Sequence, residues 1–391
     1  MKVLYVVESS APYGANMSLI DLIDSLREKG VLPLVVGSDS GPLGDWLKAR
    51  SIVYHAVGHK LSIYPKSETL RQKISFAPKV LVFRLLNLRA LFRLVLISLR
   101  FQPDIIHTNI GPSALGYWTA RILRIKHVWH LREYQDLDFN MHYFPSQKRF
   151  LVQLGKSDSV ICITKSIAKH FLFPGEFRVI NDGVSAQEAI RFNPEKEKYF
   201  LFAGRLEAAK GVEDTIMGYF AFCAKYGSSY KMKIAGSGSA EYVEKLKTAI
   251  KSSPFSENVQ FLGFRNDTLS LMGKAKALIV ASHSEGFGRI TPEAMFNGCL
   301  VIGRNVGGTA DILQPIQGKR VGLLFDNCDS LVNRMIEAVT LTPDSYRRIV
   351  SRAQAKAVDR YCIERHGSEV YSVYQGLLSS RCSSKTIGKK P

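Results

Sequence analysis

The sequence predicts two consecutive α/β domains, each a doubly wound parallel sheet, and three observations carry that prediction. Short β-branched runs alternate with amphipathic stretches of helical period, which is the pattern of strands joined by crossover helices. The pattern pauses in a polar stretch, 186–198, that carries six charged residues, and then starts afresh. A length of 391 residues, 46% hydrophobic and 22% charged, suits two or three folded domains. This composition excludes a disordered chain, a collagen-like fibre and a small disulfide scaffold.

In the first half, strands are expected at 3–7, 34–37, 53–57, 104–108, 127–131 and 159–164. Helices fit 17–29, ended by Gly30, and the stretch near 43–50. The opening MKVLYVVESS has one lysine and a very short apolar run, so it reads as a first strand and not a leader peptide. In the second half, strands are expected at 199–203, 231–235, 259–262, 277–280, 300–303 and 322–325, with helices at 211–226 and 240–252. The expected divisions are an N-terminal domain at 1–185, a linker at 186–198 and a C-terminal domain at 199–360. A helix at 361–380 is expected to pack back toward the N-terminal domain, followed by a basic, disordered tail at 381–391. Two such sheets facing a cleft bind ligands beyond the carboxyl ends of their strands. Strand-to-helix loops are therefore where chemistry is expected.

Fifty-three Lys+Arg against thirty-four Asp+Glu give a net charge of +19. Such a charge calls for an anionic partner: nucleic acid, phosphorylated metabolites or a membrane surface. The six cysteines are widely spaced, with no C-x-x-C and no companion histidines. They read as free thiols in a reducing compartment, without a disulfide framework or zinc site. The apolar run 80–99 is interrupted by Arg84, Arg89 and Arg93 and should not span a bilayer. The expected location is the cytoplasm.

Three loops look chemical. After the strand at 277–280 comes Ser-Glu-Gly-Phe-Gly-Arg-Ile-Thr-Pro-Glu, residues 284–293. Thr291 is expected as an N-cap, Pro292 at the first helical position and Glu293 in the first turn. Gly286 and Gly288 allow the backbone to approach a ligand closely, and a helix N-terminus attracts an anion. Glu285 and Glu293 stand eight positions apart, and both can accept hydrogen bonds from hydroxyls. A polyhydroxylated ligand bearing a phosphate fits, although Glu293 could simply complement the helix dipole. In the second loop, Gly204, Arg205 and Lys210 leave the strand at 199–203, where cations can converge on a diphosphate. Taken singly, each reads as a solvated charge. The third, Gly236-Ser-Gly-Ser239, is a truncated dinucleotide fingerprint with Glu241 in place of the third glycine.

The order G-R-L-x-x-x-K-G, A-G-S-G, F-L-G-F, E-G-F-G-R-x-T-P-E-A, N-V-G-G resembles the retaining glycosyltransferases of the GT-B fold, family 4. Their paired glutamates are written E-x7-E, as Glu285 and Glu293 stand here. The likeness is specific over 199–325 and looser at 13–16, 129–133 and 181–184. It implies transfer of a sugar from a nucleotide-diphosphate donor to an acceptor hydroxyl with retention, with no cofactor and no metal. Arg205 and Lys210 would hold the donor diphosphate and neutralise the leaving group. Glu293 would bind the ribose, and Glu285 the transferred sugar beside the amides of Gly286, Phe287 and Gly288. His130 would lie beside the donor sugar, and Gly14 would let the first loop approach it. Gly204, Gly236, Gly263, Phe264, Ile290 and Thr291 complete the donor-binding set, with the base read near 263–265.

There are departures. The family's G-G-A-E turn reads Tyr13-Gly14-Ala15-Asn16, which removes a flexible position and a carboxylate on the acceptor side. Arg132 and Glu133 could touch ligand or form a local ion pair. Asp136-Leu137-Asp138 has the D-x-D form but does not end an apolar strand, and reads as surface carboxylates. Two alternatives stand beside the transferase: a GT-B sugar-nucleotide epimerase, and a non-enzymatic basic protein binding nucleic acid. No nucleic-acid motif is apparent, so that partner is not expected.

Residues 60–100 hold nine Lys/Arg against one acid, Glu68. Between Pro78 and Pro103 the pattern is helical, with Arg89, Arg93 and Arg100 within about 40° of one another. Leu81, Leu85, Leu88, Phe92 and Val95 lie on a neighbouring arc. With Lys79 and Arg84, this suits a helix docked peripherally on the anionic inner face of the cell membrane. A lipid-linked saccharide acceptor in bacterial surface-polysaccharide assembly (capsule, O-antigen or exopolysaccharide) would be met there. The alternative is a core helix with solvated arginines.

Overall fold

The computed structural model describes residues 1–8, 14–65, 70–138, 140–173 and 175–385. Tyr13, Lys66, Glu68 and the last six residues of the expected tail lie outside them.

The first unit runs β1 (Lys2–Val6), α1 (Gly14–Glu28), β2 (Leu32–Gly37), α2 (Pro42–Ala49), β3 (Val53–Ala56) and β4 (Ile63–Pro65). It continues with α3 (Leu70–Phe101), β5 (Ile105–Thr108), α4 (Ala114–Leu123), β6 (Lys126–Leu131) and β7 (Met141–Tyr143). Then follow α5 (Gln147–Gly155), β8 (Ser159–Cys162), α6 (Lys165–Phe171) and β9 (Arg178–Val179). Seven strands pair in the order β3-β2-β1-β5-β6-β8-β9, all parallel. Alternate residues serve opposite faces. Tyr5, Ile105, Val128 and Ile161 pack under α1, while Leu4, Val6 and Ile106 pack under Ala90 and Leu94 of α3 and Leu115 of α4. Because both faces are covered, the strands read as nearly unbroken apolar runs. β4 and β7 form a separate antiparallel pair.

The second unit runs β10 (Tyr199–Ala203), α7 (Val212–Tyr226), β11 (Lys231–Ala235), α8 (Ala240–Ile250) and β12 (Val259–Gly263). Next come α9 (Thr268–Lys274), β13 (Ala277–Val280), α10 (Ile290–Phe296), β14 (Val301–Arg304) and α11 (Gly307–Leu313). It ends with β15 (Leu323–Phe325), α12 (Cys328–Thr340) and α13 (Pro343–Tyr361). Its six strands are ordered β12-β11-β10-β13-β14-β15, again all parallel. The last helix, α14 (Ile363–Lys385), returns to the first unit and packs along α1. Gly367 permits the approach, since a Cβ there would stand 2.1 Å from Ser25 Oγ.

Three boundaries differ from expectation. The chain leaves the first unit after Gly183 and re-enters it at Ile363. Residues 186–198 are therefore no free linker. The Lys196 ammonium donates to the carbonyls of Gly273 (2.6 Å) and Gly298 (2.8 Å), and Arg191 N–H donates to Phe296 O (2.9 Å). The expected disorder from 381 also begins too early, because α14 continues to Lys385 with no glycine or proline in 381–385 to stop it.

Candidate active site

In the second unit the strand order reverses between β10 and β13, the place where doubly wound sheets open a crevice for ligands. The loops leaving these two strands meet there. Lys210 Nζ lies 2.8 Å from Glu285 Oε2, with side chains 25% and 16% exposed. His283 N–H donates to Ala209 O at 2.9 Å and ties the loops together. Beneath them, Gly308 at the start of α11 donates its N–H to Glu285 O at 2.7 Å. A Cβ on Gly308 would sit 2.5 Å from Phe287 Cα and from Phe287 O, so only glycine fits under this loop.

The β11 loop closes the same floor. Gly236, at φ +147°, would place a Cβ 1.8 Å from Gly204 O. Leu206 N–H donates to Ser237 O (2.8 Å), and Gly236 N–H to Gly263 O (2.8 Å). Gly204, Gly236 and Gly263 thus form one continuous backbone surface. Phe264, beside it, is 73% exposed. Arg205 leaves the same strand and contacts Glu207 at 3.1 Å. Phe287 is buried, edge-on to Tyr361 at 5.8 Å, which anchors the turn.

Two expectations change in this loop. Thr291 is not the N-cap and Pro292 is not the first helical residue: α10 begins at Ile290, and Thr291 N–H donates back to Gly288 O (2.9 Å). The first helical turn thus closes earlier than the Thr-Pro-Glu pattern suggests. The Thr291 hydroxyl is buried and has no hydrogen-bond partner among the described residues. Glu293 faces Arg289 at 3.4 Å, four residues earlier. Each glutamate of the pair therefore sits beside a cation, and Arg289 was missed, although its spacing on a helix was the available signal.

In the first unit, His130 lies one residue before the end of β6, fully buried. Its Nδ1 lies 3.3 Å from His107 Nε2 and 3.4 Å from Arg132 Nη2, and its Nε2 has no partner among the described residues. Burial first, and then the positive charge of Arg132, push His107 and His130 well below the usual imidazole range. Both rings are neutral at pH 7. His107 Nδ1 is 2.6 Å from the Tyr374 hydroxyl, which extends the network to α14.

Arg132 does not pair with Glu133. Its guanidinium takes both carboxylate oxygens of Asp182 and donates from Nε to Asn109 Oδ1 at 3.0 Å. Glu133 instead accepts from Gln135 Nε2 at 2.9 Å. His130, Asp182 and His366 offer donor atoms within 4.8 Å of one another, yet a divalent ion would meet the Arg132 cation already held there. These residues do not fit a metal. Asp136 contacts His170 (3.0 Å) and Asp138 accepts the Tyr134 N–H (3.0 Å), so the D-x-D carboxylates are engaged locally. Gly14 opens α1.

Along α3, Ala90 and Leu94 are buried, whereas Leu81, Leu85, Leu88 and Phe92 are each more than half exposed. Val95, expected among them, is half-buried. The helix begins at Leu70, with Pro78 inside it. Among the described residues, no helix is long and apolar enough to cross a membrane.

Comparison with known proteins agrees with this architecture. The family described as Glycosyltransferase Family 4 matches residues 12–188, and Glycosyl transferases group 1 matches 185–356. An uncharacterized glycosyltransferase of Methanocaldococcus jannaschii is 31% identical over 215 residues, 52% of this chain and 51% of its own length. A second from that organism is 29% identical over 60% of this chain and 65% of its own. The chain thus spans about half to two-thirds of these relatives. The capsular polysaccharide biosynthesis glycosyltransferase CapM of Staphylococcus aureus is 22% identical over 90% of this chain and 98% of its own. Anabaena HepE, solved with UDP and glucose, superposes with a TM-score of 0.74 at 21% identity, covering 96% of this chain and 99% of HepE. Both halves are matched, and the chain belongs to the group 1, family 4 glycosyltransferases of GT-B fold.

Proposed function

We propose that this protein transfers a sugar from a nucleotide-diphosphate donor to an acceptor hydroxyl, with retention, in the assembly of a bacterial surface polysaccharide. The observation that carries the reading is the Lys210–Glu285 pair at the reversal point of the second sheet. In this reading Lys210 and Arg205 take the donor diphosphate and neutralise the charge that grows on it as the glycosidic bond breaks. Glu285 is released to the sugar hydroxyls. Glu293 accepts from the ribose, Phe264 stands near the base, and neutral His130 offers its unpartnered Nε2 to the transferred sugar. Protein cations do this work without a metal ion, and retention follows front-face attack with the leaving diphosphate taking the acceptor proton. HepE is seen with UDP and glucose, which makes UDP-hexoses the first donors to try.

The acceptor is read as a lipid-linked saccharide, and CapM, named for capsular polysaccharide biosynthesis, supports the surface-polysaccharide part of the reading. The exposed apolar stripe of α3, bordered by Lys79, Arg84, Arg89, Arg93 and Arg100, supports peripheral docking on the cytoplasmic face of an anionic membrane. The test is NMR of the product anomeric centre after incubation with donor and acceptor. A retained centre supports the reading, and an inverted one overturns the mechanism. Lys210→Ala should lower turnover by about two to three orders of magnitude, the scale for one preorganised charge contact. Near-normal turnover removes Lys210 from the chemistry. Charge reversal at Arg89, Arg93 and Arg100 should abolish binding to anionic liposomes, and unchanged binding sinks the docking role.

A further inference from the structure

A second cavity lies wholly within the first unit, on the face of the sheet covered by α3, α4 and α5. It encloses about 510 Å³, a volume typical of sites for small organic ligands. Lys60, Arg84 and Arg149 stand around it, and among the described residues no acidic one lines it. Its walls are apolar: Phe83, Leu88 and Leu91 from α3, Trp118 from α4, Phe144 and Phe150 from the segment around α5. The Arg84 guanidinium lies 5.9 Å from the centre of the Phe144 ring, and Phe83 meets that ring edge-on at 5.3 Å. The cations are thus held at an aromatic rim.

Two features say what such a cavity takes. The exposed stripe of α3 runs at helical spacing through Leu81, Leu85 and Leu88, and Leu88 also lines the cavity, so the apolar surface leads into its mouth. A ligand must therefore combine an apolar chain with an anionic head. Lys60 also interacts with the Glu8 carboxylate, while Arg84 and Arg149 face no acid among the described residues that line the cavity. Such cations suit a phosphate or diphosphate, which arginine recognises through paired N–H donors.

We propose that this cavity seats a single-chain lipid phosphate, its head between Lys60, Arg84 and Arg149 and its chain along Leu88, Leu91 and Trp118. The position deepens the acceptor reading above, on which it rests only for the saccharide and not for the lipid. Pro112 lines the cavity, while Asn109 of the same loop binds Arg132 beside His130. Trp129, which precedes His130, donates its indole N–H to Gly111 O (2.6 Å) and packs edge-on against Phe150 at 5.2 Å. The 109–112 loop thus both lines the cavity and binds Arg132 beside the histidine cluster, which faces α1 and α14 on the other side of the sheet.

The test uses the full chain with dodecyl phosphate, dodecanol and inorganic phosphate. Binding is followed by tryptophan fluorescence, with Trp118→Phe assigning the signal, and by thermal shift. One dodecyl phosphate should bind per chain, with dodecanol and inorganic phosphate each at least tenfold weaker. Arg84→Glu combined with Arg149→Glu should weaken binding at least tenfold, as should the cavity-filling Leu91→Trp. Absence of saturable binding, or equal binding by parent and both variants, overturns the proposal. So does binding confined to phosphatidylglycerol vesicles that is lost on reversing Arg89, Arg93 and Arg100 but not in the cavity variants, because that places the lipid on the helix face. A UDP-sugar thermal shift on the same samples reports the second unit separately. Failure of the cavity and failure of the transferase reading are thereby told apart.

Discussion

Gly308→Ala probes how tightly the 285–288 turn, proposed to hold the donor, is held. The added Cβ would stand 2.5 Å from two backbone atoms of Phe287, and 2.7 Å from Gly286 O. Ordinary contact begins at 3.4 Å, so the 285–288 turn must retreat by about 0.9 Å or α11 must shift by as much. No side chain can rotate away to relieve this, because all three atoms are backbone. The Glu285 carbonyl is held by the Gly308 amide, and Glu285 holds Lys210. A displacement on the order of 1 Å at reacting groups costs about 10²-fold in rate. Turnover of donor should therefore fall about 10²-fold. Alanine's helix propensity, about 1 kcal/mol better than glycine, offsets part of any loss of stability. Gly273→Ala is the control, since its Cβ would meet nothing nearer than 3.8 Å. Parent-like turnover in Gly308→Ala, with Tm unchanged, would refute the account of the loop.

The other two predictions concern the first unit. Arg132→Met leaves the Asp182 carboxylate buried without its cation and should cost about 3–5 kcal/mol in urea unfolding, with partial recovery on adding Asp182→Asn. A loss below about 1 kcal/mol would mean that water or another cation replaces the guanidinium. Acid should also destabilise this unit. Burial lowers His107, His127 and His130, His127 from 6.5 to about 3, so their stabilising contribution is complete above about 6.5 and is lost as pH falls toward the folded values. Each contributes a slope of up to about 1.4 kcal/mol per pH unit in that window. A Tm that stays flat from pH 7 to pH 5 would contradict this.

The parallel sheets and the three glycine-rich loops of the second unit were legible because their signals are local. Glycine pairs, a cation after a strand and glutamates eight apart all sit within single loops, and the structure gathers those loops at one reversal of strand order. What lay beyond sequence reading depends on distance or on subtle backbone closure. Arg132 finds Asp182 fifty residues away, while an acid stands next to it in the chain. β4 and β7 have three residues each, and one of them carries Pro65, too little for a strand pattern. Thr291 carries the N-cap residue type, yet a hydrogen bond to Gly288 O starts the turn first. Pro78 reads as a helix start, and α3 carries it inside. The stripe of α3 was visible by periodicity, whereas the cavity beside it needs α4 and α5 in place.

The most direct test is thermal stabilisation by a panel of UDP-, GDP-, ADP- and CMP-sugars, comparing the parent with Lys210→Ala and Glu293→Ala. Ligand at about 100 times its Kd adds about 2.7 kcal/mol, enough for a clear shift. The account predicts a shift for one donor in the parent and its loss in both variants. A panel without any shift, or a shift equal in all three proteins, would contradict a donor site at the Lys210–Glu285 pair.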